Sequence, residues 1–294
     1  MRAASLALLI TLVPLSLIAF QSPPGEIRLI VKGDDMGAGH GINVATIDAY
    51  QHGVLTTTNV IVPGPWFPEA AKLINQNPGL DVGVHLAITS EWENIKWRPL
   101  TFAPSIVNED GYFFPIVTPR PANFPPKSSI KEAAWKLDEI EREVRAQIVM
   151  AKRHIPQVSY TWNHMGFTML APEVQQMVDR VSAEYGLLVP QQLGIKILFG
   201  GIYNAQDSGA VKAEKLAAKL ETLTPGLWLH IDHAGTDDPE MRAFGHNGYE
   251  YVAADRQANH DAWVSPKVRE AIERKGIKLT NYRELARERQ KREQ

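Results

Sequence analysis

Apolar runs of strand length alternate with amphipathic stretches of helix length along most of this 294-residue chain. "EIRLIVK" (26–32) is the first such run and ends against a pair of acids. "GINVATIDAYQHG" (41–53) then sets Ile42, Ala45, Ile47, Ala49 and Tyr50 near helical spacing, and Gly53 suits a helix C-terminus. "LTTTNVIV" (55–62) is rich in β-branched residues and reads as a strand. "PWFPEAAKLINQNPG" (65–79) reads as a helix closed by Asn-Pro-Gly, and "LDVGVHLAIT" (80–89) as the next strand. Residues 90–127 break this rhythm. They are rich in Pro and aromatics and read as a long loop insertion with a small hairpin at "EDGYFFP" (109–115). Loops of that length inside a domain are usually functional or mobile. A long helix is expected over 129–154, with Ile140, Val144 and Ile148 at i, i+4 spacing. Further strands are expected near 157–162, 187–191, 195–199, 226–232 and 277–282, with helices over 171–186, 213–223 and 265–276.

Strand–helix alternation at this spacing implies βαβ units and a parallel sheet. Seven or so units fit an α/β fold of one β/α-barrel-like domain, TIM-like and either distorted or incomplete, better than a doubly wound sheet. No Gly-x-Gly-x-x-Gly follows the first strand, and no phosphate loop or internal repeat is present. A barrel places its chemistry at the C-terminal ends of its strands.

Composition narrows the classes. Hydrophobic residues make up 44% and charged residues 22%, as in a globular protein with a real core. A formal net charge of −2 and the lack of a basic stripe argue against nucleic acid as a partner. There is no cysteine, which removes thiol catalysis, zinc–thiolate sites and disulfides together. The first 24 residues carry one Arg, a long apolar stretch and a Pro/Gly break, the pattern of an export signal; an N-terminal membrane anchor is the alternative. Residues 25–294 are then the working domain, periplasmic or extracellular, with no other segment able to span a membrane. The final "RELARERQKREQ" mixes both signs and reads as a solvated helix. Nothing in the chain decides between a monomer and a homodimer.

The strand ends carry the chemistry. Asp34 and Asp35 follow the first strand, and adjacent carboxylates repel unless a metal, a basic partner or solvent relieves them. His85 sits late in "VGVHLAIT", His164 follows "SYTWN", and His230 and His233 flank Asp232 at the end of "LWLHID". A lone histidine is usually a core or surface residue, which covers His40, His52, His154, His246 and His260. His85, His164 and His233 differ in sharing the strand-end position, although their wide spacing matches no compact metal motif. One carboxylate and two imidazoles leave open positions on a divalent metal. A second carboxylate could take a proton from water and a histidine could protonate a leaving group. Because side chains alternate along a strand, Asp34 and Asp35 are expected to point opposite ways, one to ligate and one to face the water. The bland alternative is that they solvate a strand end or cap the following helix.

At these residues a family pattern emerges. "GDDMG", "GVLTTTNVIVPGPWFPEA", "NPGLDVGVHLAIT", "NEDGYFFP", "EREVRAQI", "NHMG", "HAG" and "VREAIERKGIKLTNYREL" occur in order between about residues 27 and 287 and resemble the YdjC-like carbohydrate deacetylases. The resemblance implies a β/α-barrel of the glycoside hydrolase/deacetylase superfamily that removes acetyl groups from N-acetylated sugars, such as chitooligosaccharides, with one divalent metal. It implies Asp35, His85 and His164 as metal ligands, Asp34 as base, and His233 as acid. Arg256 in "AADRQ" would orient Asp34 or bind substrate. Zinc or magnesium is the expected metal, with manganese open. Two departures stand out. "YTWNH" carries Tyr160 and Trp162 where relatives have a His and an Asp, so the support behind His164 must differ, and "HAG" replaces His-Pro-Gly.

Trp92, Trp97 and Tyr112 in the long loop are candidates to stack on sugar faces; ordinary packing within the loop explains them equally well. Two other functions compete. A glycosidase would need carboxylates on both sides of a bond, with Asp232, Asp237, Asp238 or Glu240 as partner. A non-catalytic glycan- or metal-binding protein would fit the altered "YTWNH" stretch.

Overall fold

The computed structural model describes residues 25–198 and 202–293. The export-signal segment, 1–24, lies outside the described residues. The described chain builds strands β1 (Ile27–Met36), β2 (Thr57–Val60), β3 (Asp81–Leu86), β4 (Val158–Asn163), β5 (Lys196–Ile197), β6 (Gly226–Asp232) and β7 (Lys278–Leu279). Its helices are α1 (His40–His52), α2 (Phe67–Asn75), α3 (Leu137–His154), α4 (Pro172–Glu184), α5 (Gly209–Glu221), α6 (Val252–Val264), α7 (Pro266–Lys275) and α8 (Tyr282–Glu293).

All the pairings between these strands are parallel, in the order β4-β3-β2-β1-β6-β5, with β7 joining the first half of β1. The sheet curls into a half-barrel, as the strand–helix alternation predicts. Leu188 bridges Tyr160 at the β4 edge and is all that forms of the strand expected at 187–191. The expected last strand shrinks to two residues because Tyr282 opens α8. The long helix expected from 129 starts at Leu137, after a 3₁₀ turn at Ile130–Glu132 closed by a Ser129/Glu132 capping box. α6 has no counterpart in the sequence expectation.

β1 shows how period-two patterning divides the core. Leu29 and Val31 pack outward against the helices, while Ile30 faces inward with Tyr160, Leu227, Leu229, Tyr282 and Leu285. Tyr160 is fully buried, and a side chain at Gly83 would lie 2.3 Å from its ring. The phenol donates to Thr58 O at 2.7 Å.

The barrel floor is tied by Asp81. Its carboxylate accepts from Thr57 of β2 at 2.9 Å, Ser159 of β4 at 2.5 Å and the backbone N of Tyr282 at 3.0 Å. α8 is thus more than a solvated tail: Glu288 pairs with buried Arg28 at 2.7 Å, and Leu285 is buried.

The long insertion is packed rather than loose. Trp92, Trp97, Ile106, Phe113, Ile116 and Val117 are buried, and Val107 bridges Phe113 in the expected small hairpin. Buried carboxylates of α3 hold it: Glu143 accepts from the backbone N of Leu100 and Thr101 at 3.1 and 3.0 Å, and Glu139 from that of Ser105 at 2.7 Å. Among the described residues, no helix is long and apolar enough to cross a membrane.

Candidate metal and catalytic site

A cleft of about 460 Å³ opens at the C-terminal ends of the strands, lined among others by Asp34, Asp35, His85, Glu91, His164, His233 and Arg256. β1 enters it through a bulge. Gly33 pairs Thr58 but Met36 pairs Val60, so β1 carries one extra residue there. Asp35 takes φ 75°, a left-handed conformation rare for a residue with a side chain. Asn59 of β2 supports it, accepting from the Asp35 N at 3.3 Å. Gly37 follows at φ 92°, where a Cβ would meet Ile61 O at 2.6 Å. The bulge corrects the expectation of simple alternation: Asp34 and Asp35 both line the cleft.

Asp35 Oδ1 lies 3.2 Å from His85 Nε2 and 3.6 Å from His164 Nδ1, and the two imidazole nitrogens are 3.3 Å apart. All three side chains are buried, and Asp35 Oδ1 has no hydrogen-bond donor. Tetrahedral ligands about 2.0–2.1 Å from zinc stand about 3.4 Å from one another. Spacing and donor chemistry therefore fit a divalent ion. Burial pushes the His85 imidazolium down, outweighing the nearby Asp34 and Asp35, a shift that favours the ligating form of the ring.

Each carboxylate has its own cation. Arg256 from α6 donates to Asp35 Oδ2 at 2.8 Å, so it orients Asp35 and not Asp34. Lys32 Nζ sits 2.6 Å from Asp34 Oδ1. Burial lowers the Lys32 ammonium to about 8, against the pull of Asp34. Burial of Asp35 favours its neutral form, but His233, Arg256, His85 and His164 outweigh this and hold it well below the usual carboxylate range.

The support behind His164 is a residue the sequence reading missed. Glu91, six residues beyond His85 and buried, lies 3.0 Å from His164 Nε2. Burial opposes the imidazolium, yet Glu91, with Asp35 and Asp34, outweighs it and raises His164 to about 9, so a cation held there would displace its proton. A carboxylate behind a ligating histidine fixes its tautomer and orientation. An isolated Glu in a polar loop gives no periodic signal that could have revealed it.

His233 stands across the cleft, Nε2 3.8 Å from Asp35 Oδ2 and Nδ1 3.6 Å from Asp232 Oδ1. Burial lowers its imidazolium, but Asp35 and Asp232 together raise it. Asp232 is itself held, Tyr203 donating to Oδ2 at 2.5 Å and Asn259 to Oδ1 at 2.8 Å. Burial favours protonated Asp232, yet His233, His230 and Tyr203 bring it down to about 2. His230 points elsewhere, its ring 6.0 Å from that of Trp263.

The aromatic candidates separate. Trp92 lines the cleft but is 3% exposed, packed against Phe244, His246 and Tyr249 with the Arg256 guanidinium 5.2 Å from its ring centroid. Trp97 is 2% exposed, outside the cleft lining, and donates to Thr89 O at 2.8 Å; its burial argues for loop packing in place of sugar stacking. Tyr112 stacks with Arg98 away from the cleft. His246, given the bland reading, does line it. Asp237, Asp238 and Glu240 are engaged by Arg242, Thr236 and the His40 N respectively, outside the cleft lining.

An open parallel barrel with an Asp/His/His donor cluster at its C-terminal mouth defines the class of the protein. The chain belongs to the YdjC-like protein family, whose model matches residues 28–274. It is 32% identical over 272 residues to a carbohydrate deacetylase of Thermus thermophilus, covering 84% of this chain and 90% of that one. A shorter stretch of 86 residues is 43% identical to a chitooligosaccharide deacetylase of Serratia marcescens, covering 29% of this chain and 32% of that one. The fold matches a solved structure from Enterococcus faecalis, of a protein named for cellobiose-phosphate cleavage, with TM-score 0.69 at 22% identity, over 88% of this chain and 99% of that one.

Proposed function

We propose that this chain is a metal-dependent hydrolase that removes the acetyl group from an N-acetylated sugar or oligosaccharide. The observation that carries the reading is the buried Asp35/His85/His164 donor triangle, with Asp34 and His233 beside it. The names of the deacetylase relatives point to the same substrate class.

Asp35, His85 and His164 would hold the ion. A divalent cation there supplies a Lewis acid for the amide carbonyl and acidifies water. Asp34 accepts the proton of the attacking water. His233, whose imidazolium Asp35 and Asp232 favour, gives a proton to the amine nitrogen as the C–N bond breaks. Arg256 holds Asp35, while its Nε and Nη1, buried without an acceptor, are free to donate to a bound substrate. Asp232, Asp237, Asp238 and Glu240 lie outside the cleft lining and Glu91 within it is engaged by His164, which weighs against a glycosidase that flanks its bond with two carboxylates. We propose that this activity lies outside the cytoplasm, on envelope or environmental glycans; the apolar stretch and Pro/Gly break of residues 1–24 support that reading.

The test is acetate release from N-acetylated chitooligosaccharides by the purified chain, with and without chelator. Chelator-sensitive release, lost in Asp34→Asn and His85→Ala, is the expected result. New reducing ends without acetate would turn the reading to a glycosidase. Binding without turnover would turn it to a glycan-binding protein.

A further inference from the structure

Lys32 is fully buried on the inner face of β1. By the period of two it shares that face with Asp34, and its Nζ lies 2.6 Å from Asp34 Oδ1. The other oxygen, Oδ2, lies 3.8 Å from His85 Nε2, beside the ligand triangle. Lys32 is itself seated: its Nζ stands 3.8 Å from the ring centroid of Trp162. Trp162 occupies the position in "YTWNH" where the family pattern leads one to expect an acid, and its backbone O is 3.4 Å from His85 Nδ1.

A carboxylate next to a ligating one is a natural further ligand for a cation, and as a ligand it could no longer take a proton. Something must hold Asp34 back. Arg256 does not, since its bond goes to Asp35. We infer that Lys32, seated on the Trp162 ring, is a positioning residue that keeps Asp34 aimed at the water as base and out of the ligand set. The base and its cation lie on one strand, while the ring comes from β4. An acid at position 162 would face the Lys32 ammonium and compete with Asp34 for it. The tryptophan offers an attractive face without a second carboxylate.

This inference rests on the deacetylase reading, so its test has one readout that depends on that reading and one that does not. The variants are Lys32→Met, Asp34→Asn and the double variant, each assayed for acetate release, bound metal and melting temperature. Lys32→Met is expected to lower kcat about 10²-fold with KM within about threefold. Metal content should be retained. In the Asp34→Asn background Lys32→Met should cost no further kcat, because the group it positions is gone. Lys32→Met should also lower the melting temperature by stranding a buried charge, and Asp34→Asn should restore it. If Lys32→Met alone fails to fold, folding of the double variant carries the same conclusion. Additive losses in kcat and in melting temperature would overturn the inference, as would loss of metal from Lys32→Met. If the unaltered protein releases no acetate, the deacetylase reading falls, and the melting-temperature cycle alone still decides whether Lys32 and Asp34 act as a pair.

Discussion

The floor and the mouth of the barrel each bury an aspartate, and they treat it in opposite ways. At the floor, neutral donors hold Asp81: two hydroxyls and a backbone amide occupy both its oxygens, and the Arg283 charge nearby is a smaller influence than burial. Burial then dominates and its pKa rises. At the mouth, Asp35 faces cations and imidazoles, which overcome burial and drive its pKa down, while Oδ1 has no donor. One carboxylate is saturated and ties strands together. The other is charged, incompletely bonded and held in a left-handed backbone. Unmet bonding capacity at a buried charge, kept by the surrounding fold, marks the mouth as the working end.

The comparison is broken most directly by substitution at each end. Asp35→Asn should lose metal and lower acetate release about 10³-fold or more, and should melt below the unaltered protein without metal because it removes the charge facing buried Arg256; metal analysis and calorimetry check both halves. Glu91→Gln keeps the shape behind His164 but loses the charge, and should weaken metal affinity about 10- to 100-fold in chelator competition. At the floor, Asp81→Ala should cost about 2–4 kcal/mol of stability by stranding its donors, with kcat per folded molecule unchanged; denaturant titration beside the assay separates the two.

Two pH effects sharpen the contrast. The native pKa of Asp81 is raised, so its contribution to stability is full below the unfolded value of about 3.9 and is lost as pH rises through the native value. The stability of the unaltered protein relative to Asp81→Asn should therefore fall from acid toward neutral pH. A relative rise would mean that the hydroxyls outweigh burial. At the mouth, Asp232→Asn removes a carboxylate that raises His233, so the alkaline limb of the kcat profile should move to lower pH. An unmoved limb would exclude His233 as the acid or Asp232 as its support.

Much of the scaffold was legible because periodicity reports which face is buried. β1 to β4, β6 and the helices α1 to α5 and α7 follow that rule. α6 escaped it for a physical reason: Asp255, Arg256 and Asn259 are buried among Val252, Ala258, Ala262 and Trp263, so its buried face mixes polar and apolar residues and its apolar pattern is faint. The ligands were legible as polar residues at strand ends. Their partners were not. Glu91 comes from an irregular loop and meets His164 across 73 positions of sequence. Lys32 could have been found, since a lysine two residues before an aspartate in a strand shares its face. The bulge could not, because nothing in "KGDDMG" states that an aspartate will take a conformation glycine prefers.

That conformation bears on the history of the fold. At Asp35 the backbone favours glycine, but glycine there would leave the buried Arg256 guanidinium without the carboxylate it donates to. The position the chain finds least comfortable to occupy is the one its neighbouring charges most need filled. Losing the ligand by that single step therefore carries a cost in robustness. A lineage freed from its substrate would keep this aspartate and lose its activity first at groups the fold does not lean on.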